Sequence, residues 1–166
     1  EQPFLLKMVI VTHLIGTALV QMAQAKRSRH DILAQLLSGD YPSLATARQR
    51  AAHLKLPLDS PRRLVALRLS AVNVLFDNHA PDEAERLLQL IRQSVQDHLD
   101  AWSRALPDAL PVVVQGDLFI LLLADHDNVR ADLARLSQQL QPVIGDLALF
   151  MGLASKVDAC EHYPQA

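Results

Sequence analysis

Cysteine is almost absent: Cys160 stands alone among 166 residues. A single thiol excludes an intramolecular disulfide framework and a cysteine-rich zinc site, and it fits a reducing compartment, which points to the cytoplasm. Glycine is nearly as scarce, five in all, and no Gly-x-x-x-x-Gly-Lys-Ser/Thr, Gly-x-Gly-x-x-Gly or Gly-x-Ser-x-Gly run occurs. The phosphate-cradling loops and the nucleophile elbow that those runs build are therefore excluded. Charge of one sign is not in excess either. Sixteen Lys and Arg face eighteen Asp and Glu, so the chain carries no overall electrostatic footprint for nucleic acid. The histidines are scattered, with no two at the i, i+4 spacing of a helical zinc pair.

What is present is apolar material in ordered patterns. Half of the composition is hydrophobic, enough for one globular domain with a buried core plus an appendage. From Phe4 to Leu37 the apolar positions follow a heptad: Phe4, Met8, Val11, Ile15, Ala18, Met22, Ala25, then Arg29 out of pattern, then Ile32 and Leu36. A helix with such a stripe wants a partner helix, and parallel pairing with a second copy is the simplest one. Phe4, Met8, Val11, Ile15 and Met22 are accordingly the expected homodimer interface. Phe4 to Ala23 also has the length of a membrane span, with Lys26 to Arg29 as a basic flank. Lys7, His13 and Gln21 fall inside that span, where polar and charged groups are expensive, so no membrane partner is expected. The chain starts without Met inside a helical pattern and ends where another helical pattern begins, which reads as a segment of a longer protein.

The remainder alternates strand and helix signals. Gly39 can close the long helix in the left-handed conformation, and Pro42-Ser43 suits the start of a second one, Ser43 to Leu54. Arg63 to Ser70 reads as a strand and Pro81 to Leu106 as a helix with Asp82 and Glu83 in its first turn. Pro111 to Gln115 and Leu118 to Ala124 read as strands joined by Gly116-Asp117, a two-residue hairpin signal. Asn128 to Leu140 is a helix, with Asp127 placed to cap it, and Leu147 to Met151 a final strand. The order β-α-β-β-α-β predicts an α+β fold of the ferredoxin-like or nucleotide-cyclase-like kind, preceded by a long helix and a short second one. The expected division is a linker and dimerisation helix over 1–40 and the sheet domain over 41–166. Leu118 to Leu123 scarcely alternate, which predicts a strand buried on both faces, with the second helix, a C-terminal continuation or a partner chain covering the side of the sheet away from the crossover helices.

Asp31-Ile-Leu-Ala-Gln-Leu-Leu-Ser-Gly39, then Arg50-Ala-Ala-His-Leu-Lys-Leu56, then Gly152 with Tyr163 and Ala166, resemble the degenerate GGDEF-like domain of bacterial transcription regulators of the PucR/CdaR type. That family usually carries Arg-Ala-x-x-Leu-Gly-Leu where Lys55 stands here. A working diguanylate cyclase needs metal-binding acids after the first strand and a Gly-Gly-(Asp/Glu)-Glu-Phe turn in the hairpin, because cations must neutralise the triphosphate. This sequence holds Ser70-Ala-Val-Asn73 and Gln115-Gly116-Asp117 at those places. The resemblance therefore implies a degenerate turn at Gly116 and Asp117, with no catalytic residue, metal or cofactor. Asp125-His126-Asp127, the tightest group of potential ligands, lacks further donors. The function implied is that of a non-catalytic regulatory and dimerisation domain, relaying a signal from an upstream sensor to a helix-turn-helix outside this segment. DNA would then be a partner only through that absent domain, and the effector is not specified. A small-molecule or nucleotide-sensing domain without catalysis is the alternative.

Overall fold

A four-stranded antiparallel sheet in the order β2-β3-β1-β4 organises the chain. Its strands are β1 (Arg62–Ser70), β2 (Val113–Gln115), β3 (Leu118–Ala124) and β4 (Ala148–Val157). The helices are α1 (Gln2–Ser38), α2 (Leu44–His53), α3 (Asn73–Asn78), α4 (Pro81–Arg104) and α5 (Val129–Ile144), and a 3-10 turn spans Cys160–Gln165. This computed structural model describes residues 2–165, with side chains described from Ile15 onward. The architecture is mixed α+β with a long N-terminal helix, compatible with a GGDEF-like fold. β1 and β2 run parallel with β3 inserted between them, since β3 is antiparallel to both.

The sheet is apolar on both sides and supports two cores. Val65, Leu67 and Leu69 of β1 and Phe119, Leu121 and Leu123 of β3 pack against α4 and α5. Ile120 and Leu122 point the other way, where they meet Ile32, Leu33, Leu36 and Leu37 of α1, Ala47 and Ala51 of α2, and Cys160 and Tyr163 of the 3-10 turn. The end of α1 thus belongs to the domain's own core. Burying those four α1 side chains contributes on the order of 1.5–3 kcal/mol each before ordering costs.

α4 follows its amphipathic pattern, with Ala84, Leu88, Val95 and Leu99 buried and Asp82 and Glu83 in the first turn. Three elements depart from the expected boundaries. α5 continues past Leu140 and through Pro142 to Ile144, because Ile144 is itself buried in the first core. β4 runs on to Val157, and a bulge makes the extension possible. Val65 pairs with Leu153 but Arg63 pairs with Lys156, so β4 carries one extra residue over that interval. The bulge reverses the facing of the strand: Leu149, Met151 and Leu153 serve the first core, while Val157 serves the second. A short helix, α3, also occupies the stretch before α4, where no element was expected.

The junction between rod and domain is built from two helix ends. Gly39 at φ +73° closes α1, with Asp40 N–H donating to Gln35 C=O at 3.2 Å. A Cβ at this position would lie 3.3 Å from Pro164 Cγ, so glycine also admits the C-terminal turn. Ser43 then caps α2, its hydroxyl accepting from Thr46 N–H. At the far end of α2, Leu56 N–H donates to Ala51 C=O and Lys55 N–H to Ala52 C=O, the paired bonds of a Schellman motif. The residue forced into the left-handed region there is Lys55, at φ +54°. An L side chain in that conformation costs about 1–2 kcal/mol, and glycine returns part of this as chain entropy. Lys55→Gly is therefore expected to stabilise the fold by about 0.5–1 kcal/mol, a rise in Tm of roughly 1–4 °C for a chain of this size. Thermal denaturation followed by circular dichroism measures it, and an unchanged or lower Tm would contradict the cap assignment.

Candidate functional site

The two segments expected at the positions of the cyclase machinery, Ser70–Asn73 and Gln115–Asp117, meet at one end of the sheet. Arg68 of β1 pairs with Leu118 of β3, so the Gly116-Asp117 turn lies beside the C-terminal end of β1 and the loop Ser70–Asn73. The turn is tight: Gln115 pairs with Leu118, and Gly116 takes φ +58° at the first central position. Positive φ there is the requirement of a type II′ hairpin turn. Asp117 does not stand free, because Arg92 of α4 donates to its carboxylate. The two charges enclose a cleft of about 190 Å³ lined by Gln89, Gln93, Gln96 and Phe119. On the other side, Ala71 sits at φ +57°, a conformation that costs energy for any residue with a Cβ. No carboxylate occurs between Ser70 and Asn73. Among the described residues no group of three or more His, Cys, Asp or Glu side chains could hold a metal ion.

Asp125-His126-Asp127 is taken up by local structure. Arg63 donates to Asp125, and Asp125 N–H donates to Pro61 C=O. The expected cap at Asp127 is displaced by one residue: the capping position is Asn128, whose side chain makes no cap bond. Instead His126 Nδ1 accepts from Asn128 N–H at 3.2 Å, and its Nε2 lies 3.5 Å from Asp132, which also binds Arg135. An imidazole thus takes the N–H of the capping residue, and the first turn of α5 has no side-chain cap.

Of the expected dimer contacts, Phe4, Met8 and Val11 lie outside the residues whose side chains are described. Ile15 and Met22 are 56% and 69% exposed, and Leu19 between them is 60% exposed. No helix among the described residues is long and apolar enough to cross a membrane.

Three polar groups organise the second face, of which only Tyr163 is marked in the sequence, through the family resemblance. Arg62, 1% exposed, opens β1 and donates to the carbonyls of Asp108 and Pro57. Burial pushes its guanidinium below the ordinary value, opposed by Tyr163 and Asp108. Tyr163, 2% exposed, has its hydroxyl buried with no hydrogen-bond partner among the described residues, as has Arg62 Nε. Arg48 of α2 bridges to the C-terminal turn, donating to Cys160 Sγ at 3.4 Å and to the Glu161 carboxylate. These residues read as ordinary solvated charges or helix positions in sequence, because periodicity reports apolar faces and is blind to a buried cation.

The geometry is that of a four-stranded antiparallel sheet with no carboxylate at Ser70–Asn73 and a hairpin turn whose Asp117 is held by Arg92. Comparison with known families finds a GGDEF-like domain over residues 38–166, and the chain belongs to that family. No curated protein matches the chain.

Burial pushes the Tyr163 phenol up to about 12 from its ordinary 10, with Arg62 opposing the shift. The folded value is the higher one, so the stability gained by keeping the phenol neutral is intact below pH 10 and is lost as pH rises toward 12. Tyr163→Phe removes this titration and the unpartnered hydroxyl together. The variant is expected to match the unmodified chain to within about 0.5 kcal/mol at pH 7 and to gain on the order of 2 kcal/mol over it between pH 9 and 12. Urea denaturation at the two pH values tests this, and parallel curves for the two chains would refute it.

Proposed function

We propose that this chain is a non-catalytic regulatory and dimerisation domain of a cytoplasmic bacterial transcription regulator of the PucR/CdaR type. In this reading it relays a signal from an upstream sensor to a DNA-binding helix-turn-helix outside this segment. The sheet order and its antiparallel pairings favour a ferredoxin-like, nucleotide-cyclase-like core. The absence of carboxylates at Ser70–Asn73 and the engagement of Asp117 by Arg92 favour a lost cyclase reaction.

The observation that carries the proposal is the divided environment of α1. Residues 32–37 supply four side chains to the domain core, whereas residues 15–28 are exposed and present Ile15, Leu19 and Met22 at i, i+4, i+7. At 37 residues the helix is about 55 Å long. A rod buried at one end and apolar along its free length suits pairing with a second copy, and its displacement acts directly on the sheet's second core. The intact chain is expected to be dimeric at tens of micromolar by light scattering. Ile15→Asp combined with Met22→Asp is expected to halve the mass and leave the cooperative unfolding of the sheet domain unchanged. A monomeric unmodified chain, or a double variant that keeps its mass, would overturn rod pairing.

A sensing role is the second reading, favoured by the glutamine-lined cleft beside Gly116. Nucleotides, purines and sugar acids at millimolar concentration are expected to leave Tm unchanged if the relay reading is right, whereas a reproducible rise with one class would favour sensing. Incubation with GTP and Mg²⁺ is expected to yield no cyclic dinucleotide, and detectable product would refute the loss of catalysis.

A further inference from the structure

β2 is three residues long and pairs only with β3, so its outer edge has no strand beside it. Unpaired N–H groups on such an edge must be covered or solvated. Here α1 lies against the edge, and Val114 N–H donates to His30 Nε2 at 3.4 Å, at the long end of the hydrogen-bond range. Both residues are half-buried. An Nε2 that accepts is unprotonated, so the neutral imidazole carries its proton on Nδ1. That nitrogen is 3.9 Å from Asp31 Oδ1, a carboxylate placed to favour a proton on that side. Protonation of the second nitrogen would set Nε2–H against Val114 N–H, donor against donor.

We infer that His30 is a proton-gated clip that closes the α1 rod onto the outer edge of β2 when neutral and opens that one contact when charged. The groups around it allow such a transition. β2 offers Val113, Val114 and Gln115, none of which titrates. Across α4, Asp100 is engaged by Lys26 at 3.0 Å. On α1 itself the charged neighbours in sequence are Asp31, 3.9 Å from Nδ1, and Arg27 and Arg29. α2 and the C-terminal turn meet α1 farther along, where Arg50 binds Gln35 and Pro164 lies against Gly39. Opening would free the edge of β2 beside Gly116 and Asp117, while Ile32, Leu33, Leu36 and Leu37 keep the rod packed on the sheet. The inference deepens the relay reading, and only its regulatory meaning rests on that reading.

The test uses nitrogen-15 NMR and amide exchange on the intact chain. At pH 8 His30 is expected as the Nδ1–H tautomer, with Val114 N–H protected. Between pH 7.5 and 5.5, the span in which imidazoles titrate, the protection factor of Val114 is expected to fall at least tenfold while that of Leu121 holds. His30→Gln, which keeps an acceptor that does not titrate, should flatten this pH dependence, and His30→Ala should lose protection at both pH values. An Nε2–H tautomer at pH 8, or Val114 protection that is equal in the unmodified chain and His30→Ala, would overturn the clip. The tautomer is read on the unmodified chain, so the test decides even where a variant fails to fold. Neither readout depends on oligomer mass, so failure of the clip and failure of rod pairing are distinguishable.

Discussion

A sheet that is apolar on both faces has to be covered twice, and the last turns of α1 supply much of the second cover. Ile32, Leu33, Leu36 and Leu37 meet Ile120 and Leu122 of β3 and are shared with α2 and the C-terminal turn. Without that seam, the second face would expose Ile120, Leu122 and Val113 to water, and α2 would have little to pack against. The helix that leaves the domain as a rod is therefore also part of what lets the domain exist. This dual use ties any movement of the rod to the packing of the sheet, because close-packed interiors repack in discrete steps and do not deform smoothly.

Much of this was readable from residue order, for physical reasons that differ by element. α4 was legible because its inward positions repeat at helical spacing over more than twenty residues. The hairpin was legible because Gly116 sits between two apolar runs at the exact count a tight turn needs. The uninterrupted Leu118–Leu123 run announced a second core, but nothing in it said which elements would supply the cover. β4 is expected to stop at Met151 because Gly152 follows, yet the strand runs through that glycine and the bulge beyond Leu153 to Val157. α5 was cut short before Pro142, a residue that weakens a helix but is overridden here by the burial of Ile144.

The candidate site was legible only as a set of losses. Missing acids can be counted in a sequence, but Arg62 under the sheet, Arg48 reaching Cys160 and His30 at the edge of β2 are contacts across 46, 112 and 84 positions. Long-range polar contacts leave no period behind them. They are also what sets this domain apart from a bare sheet-and-helix scaffold, since each ties a rod, loop or terminal segment to another element through a directional bond.

The bulge in β4 has a consequence for how the family can vary in length. Side chains alternate along a strand, so adding or removing one residue almost anywhere in it turns every later side chain to the opposite face. Between Leu153 and Lys156 the chain carries one residue more than its partner strand requires. Loss of Ala154 or Ser155 would leave Leu153 against Val65 and Val157 against Arg62, with both cores still filled. β4 thus holds a residue in reserve, and a chain one residue shorter here can keep the same sheet, whereas a deletion between Leu149 and Leu153 would turn the β4 side chains on one side of it away from the core they fill.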